Sequence, residues 1–356
     1  MGVSARQAAL SSEGEENRLC WRLVPRCPSG ILVVVFSQAR VPPGNFGLSR
    51  LFATTKHACL FLNSSNNDWY LGHDRVIDRL INQAVSQVSP DRILYYGCSM
   101  GAYGAIATTL RRLDGALIGF GAEIDLGLLG SQSATYVPNL RERRTGTDVS
   151  RRLKALEGID VQLVFGALDP IDAHQAVLAE EVLGNRSTSP VTVLVSPHAS
   201  HDHLYSLNVI RQLIGRFDRR VSELCDRKGL IAPYTLQELG SYAALHQRFL
   251  RGERLNEAEV DSNKSFMKNP AARRLYADWL LQEGQMDQAI ELYHELDTLH
   301  VQDDVLSKTP KRYRKEITAR LIDLLRKADR ELEANALAQA ASARYAPRGG
   351  QAWHTA

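Results

Sequence analysis

The stretch that decides the fold is Arg92-Ile93-Leu94-Tyr95-Tyr96-Gly97-Cys98-Ser99-Met100-Gly101-Ala102-Tyr103-Gly104. An apolar run enters Gly-Cys-Ser-Met-Gly, and small residues then open a helical pattern. This is G-x-S-x-G in a strand–turn–helix setting, the context in which a serine becomes a nucleophile. The glycines permit a sharp turn where a Cβ would clash. The turn lifts the Ser99 hydroxyl above the sheet edge. Met100 N–H follows at the positive end of a helix, placed to hold a developing oxyanion. The competing reading is an ordinary strand–helix turn that carries a serine.

A serine needs a base, and the base needs an acid to orient it. Both are expected later in the chain, acid before histidine. The first later strand is Val161–Phe165, ended by Gly166, with Asp169 in the loop at its carboxyl end. Ligands of open α/β sheets bind at that edge. Asp169 is the chosen acid. Asp172 is its competitor, with an N-cap or first-turn role in the following helix as the plain alternative. The second later strand, Val191–Val195, leads into Ser196-Pro197-His198-Ala199-Ser200-His201-Asp202-His203. His201 is the chosen base, with His198 and His203 as surface or supporting residues. Three histidines together also suggest a metal, but no H-e-x-x-H spacing is present and a triad accounts for the loop without metal or cofactor. A second oxyanion donor is expected after the strand Ile31–Phe36. The backbone N–H of Ser37 or Gln38 supplies it, with Gln38 preferred.

The 356 residues suffice for one large and one smaller domain. A net charge of +3 demands no nucleic-acid partner, and no apolar run approaches the roughly 20 residues of a membrane span. The N-terminus lacks the apolar core of a secretory signal. Five cysteines without paired spacing fit a reducing compartment, so a cytoplasmic location is expected. Cys98 reads as a small buried residue beside the nucleophile.

Strands at 31–36, 58–62, 92–96, 115–120, 161–165 and 191–195 alternate with helical patterns at 46–55, 73–87, 101–112, 173–184 and 203–219. That alternation predicts an α/β fold, a mostly parallel sheet flanked by helices. The segment 121–160, with Glu123 and the charged run Arg141–Arg144, is long enough for a small cap only. The expected organisation is a loose tail at 1–17, a catalytic domain at 18–222, a helical region at 228–346 and a loose tail at 347–356.

In that helical region Leu275, Ala277, Leu280, Gly284, Ala289 and Tyr293 recur as small and large apolar positions of a helix hairpin. The spacing resembles a tetratricopeptide unit. A second hairpin at 313–326 and 329–344 has a weaker pattern, and a generic helical bundle is the competing reading. Docking on the catalytic domain, self-association or a protein partner are the roles such a region suggests.

Ser99, Asp169 and His201, in that order, make residues 18–222 resemble the α/β-hydrolase superfamily, of the serine-esterase kind. The resemblance implies an acyl-enzyme mechanism on an ester. Phe36-Ser37 departs from the family's usual His-Gly oxyanion loop. Val41-Pro42-Pro43-Gly44-Asn45-Phe46 and Asn67-Asp68-Trp69-Tyr70 are similar to segments of bacterial hydrolases, some with helical repeat tails, that accompany surface-polysaccharide or glycan machinery. That resemblance fixes no substrate; an acyl group on a carbohydrate is one candidate ester. Asp68, Trp69 and Tyr70 are the candidate substrate-binding residues, with packing of the loop onto the sheet as the favoured alternative for the two rings. Acyl transfer through the same triad, or a non-catalytic scaffold acting through the helical tail, are the alternative functions.

Overall fold

The computed structural model describes residues 12–137, 149–154, 156–184, 191–196, 208–217, 220–253, 268–304, 306–309 and 311–346. Eight strands form one sheet: β1 Glu13–Glu16, β2 Leu19–Val24, β3 Ile31–Phe36, β4 Ala58–Ser64, β5 Arg92–Cys98, β6 Gly115–Phe120, β7 Val161–Gly166 and β8 Val191–Ser196. Their spatial order is β1-β2-β4-β3-β5-β6-β7-β8. β1 and β2 are antiparallel to their neighbours, and β3 to β8 are parallel.

β3 sits at the centre, with Val33 opposite Cys59 on one side and Leu94 on the other. All six of its residues are buried, as a continuous apolar run covered on both faces requires. Side chains alternate across a strand. Leu32, Val34 and Phe36 accordingly join one core with Ile77, Leu80 and Ile81 of helix Asp74–Val88 and Ala102, Ala105 and Ile106 of helix Met100–Arg112. Next to Tyr95, which joins that core, Tyr96 packs at 5.2 Å on Phe52 and at 5.8 Å on Phe120. The sheet is thus covered on both sides, as the resemblance to α/β hydrolases implies.

The structure departs from the sequence reading at the N-terminus. Residues 13–16 are not tail but an edge strand, and 19–24 pairs with β4. The acidic Glu-Gly-Glu-Glu run has no apolar pattern to betray a strand. Its partner β2, with the Arg22–Glu13 ion pair at 3.2 Å, makes it one. The helix expected over 46–55 shrinks to Ser49–Phe52. Leu48, left-handed at φ 63°, sets its start at Ser49, and the segment before it is held as a loop by Asn63, buried in β4, whose Nδ2 donates to the carbonyls of Val41, Pro42 and Asn45.

The chain divides into two compact units between Ala232 and Pro233, later than the 222–228 boundary expected. Residues 220–232 belong with the sheet. Val221 N–H donates to Gln162 Oε1 at 2.7 Å, and Ala232 N–H donates to the Val195 carbonyl at 2.7 Å.

The second unit is all helical: Leu236–Leu250, Pro270–Gln282, Met286–Gln302, Lys311–Lys327 and Glu331–Arg344, with a 3₁₀ turn at Leu306–Lys308. Thr235 and Glu238 cap its first helix reciprocally. Ala277 and Ala289 are fully buried. Tyr293, Leu296, Ile317, Leu321 and Leu325 fill the core between them. Across both units, no helix among the described residues is long and apolar enough to cross a membrane.

Candidate active site

Ser99 terminates β5 and caps helix Met100–Arg112 with φ 55° and ψ −126°. That conformation is costly for a residue with a side chain, of order 1–3 kcal/mol, and persists only where its surroundings enforce it. They do. Ser99 N–H donates to the Phe120 carbonyl at 2.8 Å, and the Ser99 carbonyl accepts from Ala102 at 2.9 Å and Tyr103 at 3.2 Å. The strain therefore falls on the serine, and the two glycines serve close approach instead. A Cβ on Gly97 would lie 2.2 Å from the Gly101 carbonyl oxygen, and one on Gly101 would lie 2.2 Å from that of Phe36.

That second contact seats the turn against the end of β3. Ser37 N–H is consumed by the Leu62 carbonyl at 2.9 Å, because β3–β4 pairing continues one residue past the strand. Of the two expected oxyanion donors, this removes Ser37. The main-chain N–H groups of Gln38 and Met100 meet no acceptor among the described residues. Ser37 instead braces the loop: its Oγ accepts from Gly47 N–H at 2.9 Å.

Asp169 and Asp172 have exchanged their expected roles in part. Asp169 is the N-cap of helix Pro170–Leu183, its Oδ1 accepting from Ile171 at 2.8 Å and Asp172 at 3.1 Å. Asp172 lies in the first turn but points inward, 1% exposed, and its Oδ2 takes Gly166 N–H at 2.8 Å. Asp169 keeps the half-exposed position at the carboxyl edge, while Asp172 is tied to the strand end. Gln175, one turn on, holds Ile124 and Asp125 N–H at 2.9 Å each and so staples the loop after β6 to this helix. Glu123 in that loop is 1% exposed and accepts from Ser133 N–H at 3.1 Å. His198, His201, His203 and the Arg141–Arg144 run lie outside the described residues.

The candidate substrate-binding trio is buried. Trp69 and Tyr70 are 0% and 3% exposed. Tyr70 OH lies 2.9 Å from the Ser37 carbonyl and 3.1 Å from that of Leu62, and its ring meets Phe36 edge-on at 5.2 Å. Asp68 Oδ1 accepts from Ser64 Oγ at 2.5 Å and Tyr70 N–H at 3.1 Å, and Oδ2 lies 3.0 Å from His73 Nε2. Burial raises the Asp68 carboxyl, but the hydrogen bonds from His73 and Ser64, the His73 charge and Tyr70 N–H outweigh it and hold it below its ordinary range. Tyr70 thereby braces the loop that follows β3.

Facing solvent over the same edge is a residue to which the sequence reading assigns no role. Arg40, two positions after Gln38, is exposed at φ 65°. Its N–H donates to Asn67 Oδ1 at 2.6 Å, and its Nε donates to Tyr136 OH at 2.7 Å. Tyr136 in turn stacks on Trp69 at 6.3 Å.

No protein-family model and no curated protein matches the chain. Among solved structures it is similar to a putative esterase from Staphylococcus aureus, with 14% identity, TM-score 0.44, and coverage of 62% of this chain and 85% of that one. It is also similar to the capsule O-acetyltransferase of Neisseria meningitidis serogroup A, with 14% identity, TM-score 0.42, and coverage of 57% and 94%. A glycosylation-associated protein complex from Streptococcus agalactiae matches at 16% identity and TM-score 0.42, covering 57% of this chain and 45% of that one.

Proposed function

We propose that the chain is a serine hydrolase acting on an ester, with Ser99 as nucleophile, His201 as general base and Asp169 as the acid that orients it. The observation that carries this reading is the strained Ser99 backbone, held between two glycines whose Cβ positions are occupied, with N–H groups of Met100 and Gln38 beside the turn that meet no acceptor among the described residues. Strain of this kind is retained where it serves chemistry.

In the proposed reaction Ser99 Oγ attacks the ester carbonyl carbon and passes its proton to His201. The carbonyl π pair moves to oxygen, and the oxyanion is held by Met100 and Gln38 N–H. The intermediate collapses, the C–O bond to the alcohol breaks, and His201 returns the proton to the leaving oxygen. Water then attacks the acyl-enzyme by the same path in reverse roles. An alcohol in place of water would give acyl transfer with no change of residues, so a carbohydrate hydroxyl is a possible acceptor as well as a leaving group. With Trp69 and Tyr70 buried, the reading no longer has its stacking platform for a sugar ring.

The test is stoichiometric fluorophosphonate labelling of wild type, Ser99→Ala, His201→Ala and Asp169→Asn, followed by a panel of acyl esters. Labelling that disappears in Ser99→Ala and slows strongly in the other two supports the triad. Folded wild type that resists labelling overturns it and turns attention to the helical unit as a binding module.

A further inference from the structure

We infer that Arg40 forms an anion-binding subsite beside the oxyanion loop, so that the preferred ester carries a carboxylate or phosphate near the scissile bond. This rests on the proposed role of Ser99. Position comes first. The Ser37 carbonyl oxygen lies 2.9 Å from where a Gly101 Cβ would be, so the elbow touches the backbone three residues before Arg40. Three residues span at most about 11 Å between Cα atoms, and an arginine side chain shortens the distance to a ligand further.

Preorganisation comes second. Arg40 is held at both ends: the main chain by Asn67 at 2.6 Å and the guanidinium by Tyr136 OH at 2.7 Å, with the guanidinium carbon 5.6 Å from the Tyr136 ring centroid. Asn67 and Tyr136 come from the segments after β4 and β6, both at the carboxyl edge of the sheet. A long exposed side chain normally loses much rotamer freedom on binding. Here the tether has already removed part of it.

Vacancy comes third. The tether uses Nε, and no carboxylate pairs with Arg40 among the described residues. Elsewhere in this unit the guanidinium of Arg111 meets Asp74 and Asp78, and that of Arg112 meets Asp114. The two Nη groups of Arg40 therefore remain as a planar fork, the geometry that receives a carboxylate or phosphate through two parallel bonds. A neutral wall, Tyr136, and a guanidinium fork select an anion over a neutral group of the same shape.

The experiment uses the full chain. For wild type, Arg40→Gln and Arg40→Lys, kcat/KM is measured on mono-4-nitrophenyl glutarate and on neutral 4-nitrophenyl valerate, and the ratio of the two is compared. The ratio is expected to fall about ten- to hundredfold in Arg40→Gln, the scale of lost hydrogen bonds to a charged group, and less in Arg40→Lys. Inhibition by inorganic phosphate that is lost in Arg40→Gln, with an unchanged glutarate ratio, assigns the subsite to a phosphate instead of an acyl-side carboxylate. A third readout needs no turnover: phenylglyoxal modification of Arg40, mapped by mass spectrometry, is slowed by glutarate or phosphate. A wild-type ratio retained in Arg40→Gln, together with no anion protection, overturns the inference while Ser99 labelling still stands. Loss of Ser99 labelling in wild type strikes the hydrolase reading, and the protection experiment then decides the anion site alone.

Discussion

Replacing Gly101 with alanine isolates the contact on which the proposed site depends. The added Cβ would sit 2.2 Å from the Phe36 carbonyl oxygen and 2.9 Å from that of Ser37, both backbone atoms that no rotamer can move aside. Ordinary contact begins at 3.4 Å, so the first residues of the helix and the end of β3 must separate by about 1.2 Å. Overpacking of this size costs about 1–3 kcal/mol of stability. Its effect on chemistry is larger. The displaced backbone carries Gln38 on one side and Met100 on the other, the two proposed oxyanion donors. A misplacement of about 1 Å costs on the order of a hundredfold in rate. The assay pairs the second-order rate of fluorophosphonate labelling with thermal unfolding. Gly215→Ala is the matched control, because its Cβ would meet nothing within 4 Å and its φ is ordinary. Gly101→Ala is expected to label at least about a hundredfold more slowly while remaining folded. A wild-type labelling rate and unfolding midpoint in Gly101→Ala would refute the reasoning.

Three further outcomes are expected. Asp169→Asn should slow labelling by about 10³–10⁴, the scale known for a triad acid, yet leave the melting temperature nearly unchanged, since asparagine caps a helix as well as aspartate does; a large thermal loss would mean that Asp169 is structural. Asp68 is ionised more readily folded than unfolded, so its contribution is present above about pH 4 and is lost as pH falls through its lowered folded value; acid titration of unfolding should be steeper in wild type than in Asp68→Asn, and identical curves would count against the His73 and Ser64 contacts. In the helical unit Arg344 donates to both carboxylate oxygens of buried Asp297 at 3.0 Å. Arg344→Met leaves Asp297 with only its Thr318 donor among the described residues and should cost about 1–3 kcal/mol in denaturant unfolding, with Asp297→Asn in the same background recovering part of it.

Much of the sheet is legible in one dimension because its signal is local. Ile31–Phe36, Gly115–Phe120 and the run into Gly97 are apolar stretches of strand length bounded by breakers, and they appear as β3, β6 and β5. Edge strands are not legible in this way. Glu13–Glu16 is a strand only because β2 offers it a ladder, and no residue within it encodes that partner. The helix patterns at 73–87 and 101–112 hold for the same local reason, whereas 46–55 keeps only Ser49–Phe52, behind a left-handed Leu48 and a loop that Asn63 of β4 holds.

The site divides along the same line. Sequence alone determined that Ser99 stands in a strand–turn–helix with glycines at both flanks, and that acids follow a later strand, because motif and spacing are properties of the chain. Tertiary structure decided which N–H groups are spent and which remain. Ser37 spends its N–H on Leu62, that of Gln38 meets no acceptor among the described residues, Asp172 turns to Gly166, and Trp69 and Tyr70 are buried. Hydrogen-bond vacancy and exposure are sums over neighbours distant in sequence, so a chain carries its strand–turn–helix motif in its letters but shows the groups around it only once folded.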